Sequence, residues 1–298
     1  MDFSAICGFL EQMCIEHYFS VKTADLVSFK VGGIARVVIY PKTIDELSLL
    51  VRYLSNEKYV ILGNGTNCYF TDELYNGAVI VTSKINSIKV NGEHVVAQCG
   101  AGLLRICKYA YENSLEGFEF AYGIPGTVGG AVCMNASAFG KSMSDIVVES
   151  CVVNIEDGRI YSLGANEHQF MEKHSIFREK HLCLLECTLK GVTGDKSKIF
   201  SKMKKYITDR RAKQPLNMHS AGSTFVKPQN DFASRLIDSA GLKGIRVGDA
   251  QVSNKHAGFV VNLGNAKSTD VKLLIEIIKE KIFLKFNVEL KEEVIYIE

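Results

Sequence analysis

No two of the nine cysteines form a CxxC pair, and no Cys/His cluster has zinc spacing. The number is odd, and most of the cysteines sit inside apolar runs. Cys183 and Cys187, the closest pair, read as small buried hydrophobes on a strand. Reduced thiols in a reducing cytosol are therefore expected. An excess of charge of one sign is missing too. Thirty-five Lys and Arg face 33 Asp and Glu, a formal net charge of +2, which gives no reason to expect a nucleic-acid partner. No apolar run approaches the ~20 residues needed to span a bilayer. The opening stretch lacks a basic region ahead of an apolar core and carries Asp2, Glu11 and Glu16, so a signal peptide is not expected. The seven histidines, at positions 17, 94, 168, 174, 181, 219 and 256, include no HExxH or similar spacing, so no metal site is expected. Repeats and low-complexity tracts are absent. A soluble, cytoplasmic chain is expected, with no membrane, no nucleic acid and no obligate protein partner evident.

What is present belongs to an ordinary globular protein: 47% hydrophobic and 23% charged residues over 298 positions. That length suggests two domains. Gly191 and Gly194 flank a polar turn, which places the division at 1–192 and 193–298. Residues 3–19 read as one helix. Strand and helix then alternate. Ala35–Tyr40 is a strand, and Thr43 opens a capping box for a helix near 44–56. Strands are expected at 59–62, 78–82, 87–90 and 94–99, with a helix over 102–113. Strand character returns at 146–155, 160–163 and 183–189. A basic helix over 196–213 stops before Pro215, and its charge reads as a solvated face. Helices are expected at 232–240 and 268–286, with strands at 257–262 and 294–297.

Two segments carry chemistry. In the first, Gly63-Asn-Gly-Thr-Asn67 follows the strand Tyr59–Leu62 at once. Backbone N–H groups of such a turn can cradle a phosphate. The turn is neither GxGxxG nor a Walker sequence, and alone it also reads as a plain turn. The second is Gly123-Ile-Pro-Gly-Thr-Val-Gly-Gly-Ala131, followed by Met134-Asn135. Its glycines and proline are not expected to continue a helix or a central strand. They let backbone lie flat against a planar or anionic group.

Together the two segments resemble the FAD-binding half of vanillyl-alcohol-oxidase-like proteins. The chain as a whole resembles the MurB family of enolpyruvyl reductases over nearly all of 20–298. Ser28-Phe-Lys-Val-Gly-Gly33 looks like the family's opening signature. Leu62–Asn67 is similar to its pyrophosphate turn, and Ala121–Asn135 resembles its glycine loop. Arg210-Arg-Ala-Lys-Gln-Pro215, Ser220–Phe225 and Gly248–Ala257 with Phe259 and Asn262 resemble its substrate-domain motifs. Glu292-Glu-Val294 takes the place of its terminal glutamate motif. The short stretch between 180 and 210 resembles the subtype that lacks an extra tyrosine-bearing loop.

The resemblance implies an α+β chain: a vanillyl-alcohol-oxidase-like FAD-binding domain, then a smaller α+β substrate-binding domain. It implies noncovalent FAD, NADPH as co-substrate and a UDP-sugar substrate. Hydride passes from NADPH to FAD and on to the enol-ether carbon, and a proton reaches the neighbouring carbon. Gly63, Asn64, Gly65, Thr66, Asn67, Gly123, Ile124, Pro125, Gly126, Thr127, Gly129, Gly130 and Ala131 would hold the flavin. Ser223 would donate the proton, with Glu293 as the carboxyl partner near the enolate. Arg210, Lys213 and Gln251 would contact substrate. Two departures stand out. Glu172-Lys-His-Ser-Ile-Phe177 puts Lys173 where the family has arginine, which keeps the charge but not the planar fork; Arg178 could compensate. Val226-Lys-Pro228 shifts a lysine by one position. Two other readings stay open: another FAD-dependent oxidoreductase of the same superfamily, or a non-catalytic regulator that binds a UDP-sugar or flavin.

Overall fold

A computed structural model describes residues 3–179 and 181–298. The chain forms two compact units, and neither is continuous in sequence. One comprises Met1–Phe19, Val37–Asn64 and Gly77–Asp209; the other comprises Ser20–Arg36, Gly65–Asn76 and Arg210–Glu298. The linear division at 192/193 differs from this arrangement, because the second unit draws in two early segments and the basic helix Lys196–Lys213 runs past that point.

The first unit is built on a five-stranded antiparallel sheet. Its strands lie in the order Ile160–Gly164, Val147–Asn154, Leu182–Lys190, His94–Gln98, Ile88–Asn91. The strand Leu182–Lys190 is third in that order, and its apolar run is buried accordingly: Leu182, Cys183, Leu184, Leu185, Cys187 and Leu189. Burial pushes the thiols of Cys99 and Cys187 up to about 12, and that of Cys183 upward as well. They act as small apolar groups, as the sequence suggests.

Helix α1 (Phe3–Gln12) ends earlier than the pattern over 3–19 indicates. Cys14 takes a left-handed φ of 52°, which ends the helix, and Glu16–Lys22 continues as a strand. Helix α2 (Ile44–Tyr53) starts at the expected N-cap: Thr43 accepts from the Glu46 N–H, while the Glu46 carboxylate accepts not from the cap residue but from the Lys42 N–H before it, at 2.7 Å. Helix α3 (Leu103–Glu112) turns Leu103, Ile106, Cys107 and Ala110 inward. The glycine loop contains a short helix, α4 (Val128–Cys133), where none was expected; Thr127 supplies the N-cap that makes it possible. Helix α5 (Lys196–Lys213) matches the basic run, with Ile199 and Met203 buried and most of its charges exposed.

The second unit packs helices α6 (Ala233–Ser239) and α7 (Ser268–Phe286) with a four-stranded sheet, ordered His219–Ser220, Val260–Asn262, Ala250–Val252, Arg246–Val247. Helix α7 buries Val271, Leu274, Ile275, Ile278 and Ile282, one apolar stripe at helical spacing. Each such side chain contributes about 1.5–3 kcal/mol. A parallel pair completes the unit, with Ile295–Ile297 running alongside Cys68–Phe70.

Candidate active site

In the first unit, Tyr59–Leu62 pairs in parallel with Ala78–Val81 and delivers Gly63 at its end. Thr82 Oγ1 donates to the Leu62 carbonyl at 3.1 Å and fixes that end. A Cβ on Gly63 would overlap Thr127 Oγ1, so only glycine lets the turn meet the glycine loop. Thr127 is buried, and its Oγ1 accepts from the Gly130 N–H at 3.4 Å. The loop is pinned along its inner side. The N–H groups of Val128 and Gly129 donate to the carbonyls of Ala101 and Cys99 at 2.8 and 2.9 Å, and the Leu103 N–H donates to Gly126 at 3.0 Å. Asn64, Pro125 and Gly130 are exposed. A Cβ on Gly130 would meet nothing nearer than Thr127 Oγ1 at 3.7 Å. The unit therefore presents part of the glycine-built loop at its surface, and a surface with so few side chains fits the planar and anionic parts of FAD.

Lys173 lies in the same unit at the tip of a tight hairpin. Met171 and His174 exchange backbone hydrogen bonds at 3.1 and 3.3 Å, and Lys173 has a φ of 56°. Two side chains tie this hairpin to the end of α4. Asn135 Nδ2 donates to the Met171 carbonyl at 2.9 Å, and Ser175 Oγ donates to the Cys133 carbonyl at 2.8 Å. Arg178 Nη1 donates to the Lys173 carbonyl at 3.2 Å. Its guanidinium is thus engaged beneath the lysine. Asn135, at the end of the glycine loop quoted from the sequence, also accepts from the Ser144 N–H at 3.0 Å through its Oδ1, and its φ is a left-handed 41°.

The second unit brings Ser223 and Glu293 onto adjoining segments. Ser223 is exposed between Gly222 and the buried Thr224. The Thr224 carbonyl accepts from the N–H of Glu293 at 2.9 Å, the Val226 N–H donates to Lys291 at 2.9 Å, and Phe225 bridges Glu292. Thr224 Oγ1 accepts from the Val260 N–H at 3.0 Å, which fastens this corner to the sheet. Gly65 accepts from the Ser28 N–H, and Asn67 reaches Glu293: its Nδ2 donates to the Glu293 carbonyl at 3.0 Å. Lys227, the shifted lysine, lies 4.8 Å over the Phe232 ring.

Arg210 and Lys213 occupy the last turn of α5, the arginine half-buried and the lysine exposed. Among the described residues, Arg210 Nε and Gln214 Oε1 are buried without a hydrogen-bond partner. A buried donor or acceptor left unpaired costs roughly 1–3 kcal/mol, which a polar ligand can recover. Burial also moves the Arg210 pKa down from its ordinary value. Gln214 was not singled out from the sequence, although it lies within the motif 210–215. Gln251 sits on the strand Ala250–Val252, and its Nε2 donates to the Gly244 carbonyl at 3.1 Å. Among the described residues, no group of three His, Cys, Asp or Glu could hold a metal ion, and no helix is long and apolar enough to cross a membrane.

Comparison with known proteins decides the family. A UDP-N-acetylenolpyruvoylglucosamine reductase from Caldicellulosiruptor saccharolyticus is 41% identical over 292 residues, covering 97% of this chain and 94% of its own. The chain belongs to the UDP-N-acetylenolpyruvoylglucosamine reductase family. A reductase of the same name from Caldanaerobacter subterraneus is 44% identical over 269 residues, covering 90% of this chain and 89% of its own. The crystal structure of the reductase from Thermus caldophilus superposes with a TM-score of 0.81 at 30% identity, covering 95% of this chain and 99% of that one. Residues 35–164 match the FAD binding domain model, which spans both flavin segments. Residues 214–297 match the reductase family's C-terminal domain model, which contains Ser223, Gln251 and Glu293. The α+β class and the FAD-binding domain expected from the sequence are thus in place.

Proposed function

We propose that this chain reduces UDP-N-acetylglucosamine enolpyruvate to UDP-N-acetylmuramate, a peptidoglycan precursor, with noncovalent FAD and with NADPH as the reductant. The observation that carries the reading is the backbone pairing that joins the segment just after Ser223 to that of Glu293, Thr224 accepting from the Glu293 N–H, in a chain whose other unit carries the glycine-built loop. FAD, held by the turn at Gly63 and the glycine-built loop 123–131, would supply two-electron hydride chemistry between NADPH and the substrate double bond. The remaining steps belong to the side chains.

Hydride addition to an α,β-unsaturated carboxylate pushes the π electrons toward the carboxylate, so enolate character develops. The carbon next to the site of hydride addition must then take a proton. Ser223 Oγ–H is the donor, and solvent returns a proton to the serine afterwards. Glu293 holds its carboxyl group against the reacting carboxyl end of the substrate. Lys173 offsets the negative charge as it grows, acting as a point charge where a guanidinium would act through two parallel bonds. The unpaired Arg210 Nε and Gln214 Oε1 support a binding role for the end of α5, with Lys213 and Gln251 as further substrate contacts. In sum, one carbon gains hydride and its neighbour gains a proton. NADPH leaves as NADP⁺, and no oxygen is consumed. The free thiols and the use of NADPH support a cytoplasmic setting.

The test is steady-state NADPH consumption by the yellow protein. It should depend on UDP-N-acetylglucosamine enolpyruvate and yield a product heavier by about two hydrogens, as the balance above requires. Consumption that needs oxygen and ignores the enolpyruvyl sugar would speak for an oxidase instead.

A further inference from the structure

The resemblance assigns Asn67 to the flavin, but its hydrogen bonds lead elsewhere. Its Nδ2 donates to the Glu293 carbonyl at 3.0 Å, and its own carbonyl accepts from the Ile295 N–H at 2.9 Å. From the next residue onward the two segments run as a parallel ladder, Cys68 against Ile295 and Phe70 against Ile297. The Glu293 N–H is held from the other side by the Thr224 carbonyl at 2.9 Å, which the Val294 N–H also approaches at 3.4 Å. Both polar groups of the Glu293 backbone are therefore occupied, one by the residue after Ser223 and one by a side-chain amide 226 positions earlier in the chain.

We infer that Asn67 is a positioning residue for Glu293: its amide fixes the backbone from which the carboxyl group is presented, so that Asn67 governs substrate reduction more than it governs flavin binding. This rests on the proposed role of Glu293. The physical reason is a matter of degrees of freedom. A side chain's direction follows from its backbone φ and ψ. Glu293 lies just ahead of the short strand Ile295–Ile297, before the parallel ladder with Cys68–Phe70 begins. Without the amide, the N–H would still be tied to Thr224, but the carbonyl end could turn. A misplacement of about 1 Å in a reacting group costs up to roughly a hundredfold in rate. Asparagine suits the task because its short, planar amide delivers a donor with little entropy to lose, and because it lies at the exit of a turn whose own backbone is already fixed on Ser28. A staple that only held the fold together would act differently, weakening both half-reactions through lost stability.

The experiment compares Asn67→Ala, Asn67→Asp, Glu293→Gln and the double variant Asn67→Ala/Glu293→Gln, all as FAD-loaded full-length protein. Asn67→Asp keeps the shape but turns an acceptor toward the carbonyl. Stopped-flow measurement follows reduction by NADPH and reoxidation by the enolpyruvyl substrate separately across pH. Asn67→Ala and Asn67→Asp should reoxidise roughly ten- to a hundredfold more slowly. Their reduction by NADPH and their FAD affinity should stay within about threefold of the wild type, a difference of only ~0.7 kcal/mol. The double variant should be little slower than Glu293→Gln, since residues that act through one group are not additive. Equal loss of FAD affinity and of both half-reactions in the two Asn67 variants would overturn the inference and return Asn67 to the flavin. So would wild-type reoxidation in either one. Should Glu293→Gln itself reoxidise at the wild-type rate, the role of Glu293 falls first, and the inference with it.

Discussion

Thr127 Oγ1 occupies the place where a side chain on Gly63 would begin. One atom on one side of the contact and a missing one on the other let the turn after Tyr59–Leu62 rest directly on the N-cap of α4. The same hydroxyl accepts from Gly130, so the two glycine segments of the first unit, which we propose hold the flavin, share one anchor.

Gly63→Ala should therefore weaken FAD retention, because either the turn or the cap must move. Gly126→Val should do the same through its backbone: Gly126 has a φ of 144°, which a β-branched residue does not adopt without strain. The expected loss is ~1–3 kcal/mol for each, or about ten- to a hundredfold in FAD affinity. Flavin fluorescence during titration of stripped protein measures it, and wild-type affinity in both variants would remove the loop from the flavin site.

Ser223→Ala should slow reoxidation by substrate by roughly two or more powers of ten, the usual scale for losing a positioned acid. Reduction by NADPH needs no proton at the substrate carbon and should survive. Loss of both half-reactions together would show that the variant had lost its fold or that Ser223 has another task.

Lys173→Ala should depress the hydride step to substrate far more than substrate binding, because the charge it meets is largest in the transition state. Lys173→Arg should keep activity. Arg178→Ala should matter less, with an effect carried through the lost bond from Nη1 to the Lys173 carbonyl. If Lys173→Ala reoxidises at the wild-type rate, the charge role does not belong to Lys173, whatever Arg178→Ala does.

His168 gives a prediction for stability. It is buried, with its ring nitrogens 2.8 Å from Ser150 Oγ and 2.9 Å from the Gly164 carbonyl, and it stacks on Phe170. Burial lowers its pKa from the ordinary value, opposed by hydrogen bonding to the Gly164 and Ala165 backbone and then by the charge of Glu167. The folded state thus prefers the neutral ring. Stability is complete above the unfolded value near 6.5 and falls as pH drops from there through the lower folded value. His256 is shifted the same way, first by burial and then by Lys243, so part of the slope belongs to it. Urea midpoints from pH 8 to 5 should fall less steeply in His168→Asn than in the wild type, whatever the variant's absolute stability. Identical slopes would contradict the assignment.

How far the sequence reached depends on how local each signal was. The basic run 196–213 and the amphipathic run 268–286 are helices with those same bounds, since spacing and start signals lie within the segments themselves. The first helix is shorter than its pattern because nothing in the local sequence reveals that Cys14 turns left-handed. Helix α4 was missed because glycine content argued against it, and its stabilising cap, Thr127, was counted only as part of a loop. The second unit's claim on residues 20–36 and 65–76 was invisible for a different reason. Its bonds join residues as distant as Asn67 and Glu293, or Asn262, whose Nδ2 donates to the Phe29 and Lys30 carbonyls. Motif order pointed to Ser223 and Glu293 as candidates, but only the fold sets their segments side by side.

The most direct measurement mixes NADPH-reduced wild-type protein with UDP-N-acetylglucosamine enolpyruvate in D₂O without oxygen. The flavin's oxidised absorbance should return in a single turnover, and the product should carry one solvent deuteron on the carbon next to the one that received hydride, with Ser223→Ala slow in the same step. Reduced flavin that persists beside the substrate and reoxidises only when air is admitted would contradict it.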